Sequence, residues 1–77
     1  MKKFLEIAIK VLNISESEAI NNSKIISENA VYFWQSERGG VSVIVASDGT
    51  YLAATSAVNF ERHLEDFNSG KRNKNKY

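Results

Sequence analysis

The sequence predicts one small α+β domain, in which a three-stranded antiparallel meander packs against helices in the order α-α-β-β-β-α. Three observations support this fold class. Apolar residues recur at helical spacing near both ends, residues 30–55 are rich in β-branched and aromatic types, and Asp48-Gly49 is a strong hairpin signal. The chain has 77 residues, no cysteine and one histidine, so neither disulfides nor a metal site can reinforce its small core.

The first helix is predicted from a polar stripe near the N-terminus. Lys3, Glu6, Lys10 and Asn13 recur every three or four residues and mark the solvent side. The buried stripe then consists of Phe4, Leu5, Ala8, Val11 and Leu12. Since charges interrupt the apolar run and no cleavage site follows it, we predict no secretion signal and expect a bacterial-type cytoplasmic protein without membrane contact.

A second helix is predicted to begin after Ser15. The Ser15 hydroxyl can cap a free backbone amide, and Glu18 can reach back to complete a capping box. Ile14 and Ala19 are placed to form a hydrophobic staple around this cap. We expect this helix to end between Ser27 and Asn29.

Three strands follow, beginning near Ala30. The first contains residues 31–34, the second residues 41–47 and the third residues 50–55. A two-residue loop at Asp48-Gly49 would place Val45 opposite Leu52 and Val43 opposite Ala54. The register of the preceding hairpin stays open: a two-residue loop puts Tyr32 and Trp34 on the core face, and a three-residue loop puts Val31 and Phe33 there.

The last helix is predicted from Phe60, Leu64 and Phe67, with a start between Ala57 and Asn59 and a C-terminal cap at Gly70. Residues 1–70 form the predicted domain, and residues 71–77 form a disordered basic tail. Nine acidic and six basic residues give the domain a formal charge of −3, while the tail carries +4. The net charge of +1 therefore describes an acidic body with a basic extension.

Catalytic motifs are missing from the sequence, and we predict that the protein is not an enzyme. His63 is the only imidazole, and no strand-Gly-x-Ser-x-Gly-helix pattern accompanies it. Asp66 lies three residues from His63, but a core histidine that donates one hydrogen bond is the simpler interpretation. No paired His or Cys residues and no Gly-rich phosphate motif occur, so we expect no cofactor and no metal.

Three consecutive aromatic residues are the feature that a small core does not require. Strand alternation sends Tyr32, Phe33 and Trp34 to both faces of the sheet, so one face carries excess aromatic bulk. We therefore predict a protein–protein interaction module, with itself as a homodimer or another protein as the partner; a neutralising, immunity-type role fits such a module. The predicted partner-binding residues are Tyr32, Phe33, Trp34, Arg38, Ile44 and Tyr51.

Nucleic-acid binding through the tail is the alternative prediction. Lys71, Arg72, Lys74 and Lys76 would supply electrostatic affinity. The α-β-β-β-α order is similar to that of double-stranded RNA-binding domains, which carry a basic cluster where the last helix begins. Here residues 58–62 contain a single arginine next to a glutamate, so the domain itself gives no support for that activity.

Overall fold

The computed structural model describes residues 2–36, 40–55 and 58–70, and it has the predicted α+β class with one more strand than expected. Four antiparallel strands form one sheet, in which each strand pairs with its neighbour in sequence. The elements are α1 (Lys2–Leu12), α2 (Glu16–Asn21), β1 (Ser23–Ser27), β2 (Ala30–Trp34), β3 (Val41–Ala46), β4 (Tyr51–Thr55) and α3 (Phe60–Asn68).

The extra strand corrects the predicted length of the second helix. That helix ends at Asn21 instead of continuing to Ser27–Asn29, and Ser23–Ser27 pairs with β2. Asn22 and Ser23 are weak helix formers, and the β-branched pair Ile25-Ile26 favours an extended backbone. Ser27 pairs with Ala30 across a two-residue turn, so β1 and β2 form a hairpin.

The β3–β4 hairpin differs from the prediction by one residue. Thr50 accepts a backbone hydrogen bond from Ala46 over 2.8 Å, and Gly49 has a φ of 92°, so the loop has three residues and ends on a left-handed glycine. Val45 therefore pairs with Tyr51 instead of Leu52. The shift moves Tyr51 to the other face of the sheet, because side chains alternate between faces.

Helices cover both faces of the sheet, and the sheet divides the core into two layers. On one face α1, α2 and the sheet together form a cluster of buried residues that consists of Ile7, Ala8, Leu12, Ala19, Val31, Phe33, Val43, Val45 and Tyr51. On the other face Phe67 of α3 packs against Ala30, Ile44 and Ala46 of the sheet. The open question about β2 is thereby answered: Val31 and Phe33 share a face with Val43 and Val45, and Tyr32 and Trp34 face α3.

The helix ends largely follow the predicted signals. The Ser15 hydroxyl accepts a hydrogen bond from the Glu18 amide over 3.1 Å, as expected for an N-cap. The Glu18 carboxylate does not complete a capping box; it accepts from the Ser36 amide over 3.0 Å and so holds the end of β2 against α2. Asn59 caps α3, which follows the predicted apolar stripe.

Candidate partner-binding site

An open groove lies where the N-terminal end of α3 meets the face of the sheet that carries Tyr32 and Trp34. The groove has a volume of about 510 Å³. Its lining consists of Lys24, Tyr32, Trp34, Gln35, Gly40, Val41, Ser42, Val58, Asn59 and Phe60. Residues from β1, β2, β3 and α3 thus converge on one concavity of the size that binds a ligand or a few side chains.

Tyr32 is the centre of an aromatic cluster in this groove. Its ring centroid lies 4.7 Å from that of Phe60 in an edge-to-face arrangement and 5.5 Å from that of Trp34. Tyr32 and Trp34 are two residues apart on β2, so the pleat places them on the same face. All three rings are half-buried, which leaves part of each available to a bound group.

Lys24 supplies the charge of the groove. Its Nζ lies 4.7 Å from the centroid of the Phe60 ring, a cation–π distance. Lys24 is exposed, and it pairs with Tyr32 across the β1–β2 ladder, so its ammonium stands at the groove edge beside the aromatic cluster. The lining therefore combines apolar aromatic surface with one positive charge, and none of its residues is acidic.

Ser42 and His63 form a hydrogen-bonded pair beneath the groove. The Ser42 Oγ lies 3.3 Å from His63 Nδ1, and His63 Nε2 lies 2.6 Å from the carbonyl oxygen of Leu52. A carbonyl oxygen only accepts, so Nε2 carries the proton and Nδ1 accepts from the serine hydroxyl. The second ring nitrogen thus bonds a backbone carbonyl and not the carboxylate that a Ser-His-acid site requires, while Asp66 contacts Arg62 at 3.4 Å. With 1% of its surface exposed, His63 joins α3 to β3 and β4.

The structure separates the residues that the sequence assigned to one binding face. Phe33 and Ile44 are fully buried, and Tyr51 is 8% exposed. Phe33 and Tyr51 belong to the layer under α1 and α2, and Ile44 lies under α3. These three residues are part of the core, whereas Tyr32 and Trp34 line the groove.

Of the ten residues that line the groove, the sequence predicts only Tyr32 and Trp34 as site residues; Phe60 and Lys24 are the most informative of those it misses. Its spacing predicts Phe60 as a core residue of the last helix, and the predicted second helix contains Lys24, which the structure places in β1. Arg38 and the tail residues Lys71, Arg72, Lys74 and Lys76 lie outside the described residues.

Comparisons with protein families, with curated proteins and with solved structures give no significant match. Within the described ranges, no helix is long and apolar enough to cross a membrane.

Proposed function

We propose that this protein is a non-enzymatic protein–protein interaction module, and that the groove binds a segment of a partner protein. The observation that carries the proposal is the half-exposed aromatic cluster of Tyr32, Trp34 and Phe60 in an open concavity. Tyrosine and tryptophan are enriched at the energetic centres of interfaces, because each buries a large area at a small cost in conformational entropy.

The chemistry of the lining selects the kind of segment. Aromatic rings favour an apolar side chain in the groove, and the ammonium of Lys24 favours a carboxylate next to it. We therefore propose a partner segment in which a Leu or Phe is adjacent to Glu or Asp. A neutralising protein would act in the same way, by binding such a segment of its partner in the groove and so covering it.

Trp34 offers a direct test, because it is the only tryptophan of the chain and lines the groove. Two arrays of synthetic peptides, each with a central Leu or Phe flanked by Glu or by Lys, would be titrated while Trp34 fluorescence is followed. We expect the Glu peptides to bind and shift the emission, and the Lys peptides to bind more weakly.

Variants then assign the binding to the groove. Phe60→Ala should weaken peptide binding by about thirtyfold, the effect of losing an interface anchor. Lys24→Gln should weaken it by about twofold to fivefold, as for an exposed ion pair. Lys2→Gln is the matched control, because it removes an exposed lysine from α1 on the opposite face.

Two results would contradict the proposal. One is the absence of binding in both arrays. The other is a Trp34 shift produced by a single-stranded oligonucleotide and not by peptides, which would favour the nucleic-acid alternative, since bases also stack on aromatic rings.

A further inference from the structure

The floor of the groove is polar, whereas its walls are aromatic. Among the described residues that line the groove, Ser42 alone is buried, with 6% of its surface exposed. Ser42 lies directly opposite Trp34 in the β2–β3 ladder, so its side chain is on the same face of the sheet as the indole. Lys24 and Asn59 are exposed and the three aromatic rings are half-buried, so a group that enters between the rings reaches Ser42 last.

The direction of the Ser42 hydrogen bond is fixed by the residues beneath the floor. The Leu52 carbonyl oxygen can only accept, so His63 Nε2 carries the ring proton and donates it over 2.6 Å. In the neutral imidazole Nδ1 then has a lone pair, and it accepts the hydroxyl proton of Ser42 over 3.3 Å. Because His63 belongs to α3 and is 1% exposed, these two bonds are held inside the fold.

Ser42 consequently presents an acceptor to the groove and no donor. A hydroxyl has one proton and two lone pairs, and the imidazole takes the proton. Gln35, which also lines the groove, uses its amide group on the Leu12 carbonyl and the Val41 amide. A ligand group at the floor therefore needs an N–H or O–H. A carbonyl oxygen would face the lone pairs of Ser42, and an apolar tip would cover an acceptor without pairing it.

We propose that the groove selects a tyrosine side chain of the partner segment, and that Ser42 determines this specificity. The tyrosine ring packs against Trp34 and Phe60 as a further aromatic ring, and its hydroxyl donates to Ser42 Oγ. His63 is a positioning residue, because it directs the hydroxyl proton of Ser42 away from the groove. This inference rests on the proposed binding of a partner segment and narrows the apolar anchor of that segment to one with a donor at its tip.

Peptides that differ in one para substituent test the direction of this bond in the wild-type protein. The central residue of a Glu-flanked peptide is Phe, Tyr, 4-aminophenylalanine or 4-cyanophenylalanine, and isothermal titration calorimetry gives each dissociation constant. We expect the two residues whose tips donate, Tyr and 4-aminophenylalanine, to bind about threefold to tenfold more tightly than Phe, as for one neutral hydrogen bond. The nitrile of 4-cyanophenylalanine only accepts, so this peptide should bind no more tightly than the Phe peptide.

A serine variant then assigns the preference to the floor. Ser42→Ala removes the acceptor and should bring the ratio of Tyr to Phe affinity to about one. The matched control Ser17→Ala removes an exposed serine from α2, on the opposite face of the sheet, and should leave the ratio unchanged. Circular dichroism checks that both variants are folded, and the peptide series in the wild-type protein decides the question if Ser42→Ala is not.

The outcomes separate this inference from the function on which it rests. Binding of the Phe peptide with no gain for Tyr, or a preference for 4-cyanophenylalanine, would overturn the role of Ser42 and leave the groove function standing. A gain for Tyr that persists in folded Ser42→Ala would also overturn it. Absence of binding by every peptide of the series would contradict the groove function and the tyrosine preference together.

Discussion

The Nε2–H of His63 donates to the carbonyl oxygen of Leu52 over 2.6 Å, and this hydrogen bond fastens α3 to β4. Because that proton fixes the tautomer, Nδ1 is left as an acceptor for the Ser42 hydroxyl on β3. The imidazole is thus fully paired at a position with 1% exposure. His63 is therefore a structural clamp, because its two hydrogen bonds join α3 to β3 and β4.

Removing the imidazole should destabilise the fold. His63→Ala deletes both hydrogen bonds and leaves the Ser42 hydroxyl and the Leu52 carbonyl without this partner, so we expect the free energy of unfolding to fall by about 2–4 kcal/mol. Urea denaturation followed by circular dichroism measures the change. Glu65→Ala is the control on an exposed turn of α3 and should stay within about 0.5 kcal/mol of the wild type. Equal stability of the two variants would refute the clamp.

The serine should contribute through the histidine. Ser42→Ala leaves Nδ1 buried without a donor, and we expect a loss of about 1–3 kcal/mol of unfolding free energy. If the two side chains act as one unit, the loss in Ser42→Ala/His63→Ala is smaller than the sum of the single losses by about 0.5–3 kcal/mol. A strictly additive double variant would show that the 3.3 Å contact carries no coupling.

Local signals were sufficient to predict α1 and α3 from the sequence. The polar stripe of α1 is solvent-exposed as expected, and α3 begins after the Asn59 cap and carries the predicted apolar stripe. These features depend on residues three or four positions apart. Both helices keep these positions in the fold because the apolar side of α1 packs on one face of the sheet and the apolar stripe of α3 packs on the other.

Pairing between strands could not be predicted as well. Ser23–Ser27 is too short to show a period, and only its pairing with β2 decides that it is a strand. Asp48-Gly49 suits a two-residue loop and also a three-residue loop that ends at glycine, and a difference of one residue decides where Tyr51 points. The groove could not be predicted for the same reason. Lys24 contacts Phe60 only because β1 is part of the sheet and α3 begins next to it.

Gln35 should be important for the attachment of α1 to the sheet. Its Nε2 donates to the Leu12 carbonyl over 2.7 Å, and its Oε1 accepts from the Val41 amide over 2.8 Å. Gln35→Met keeps the length of the side chain and loses both bonds, so we expect a loss of about 1–3 kcal/mol in the free energy of unfolding.

Gln35→Glu is the matched variant that separates the two bonds. A carboxylate still accepts from the Val41 amide, but it cannot donate to the Leu12 carbonyl and repels it at neutral pH. Amide hydrogen exchange should therefore keep the Val41 amide protected in Gln35→Glu and expose it in Gln35→Met. Equal exchange of this amide in both variants would contradict the role assigned to Oε1.

Gly49 should determine the register of the β3–β4 hairpin. Its φ of 92° lies in a region that side chains disfavour, and its amide donates to the Ala46 carbonyl over 3.0 Å at the end of the three-residue loop. Gly49→Ala should cost about 1–3 kcal/mol of unfolding free energy through backbone strain. Gly49→Asn should cost less, because asparagine tolerates a positive φ better than alanine does. Thermal unfolding of the two variants measures this order, and a Gly49→Ala protein as stable as the wild type would show that the loop is not held in this conformation.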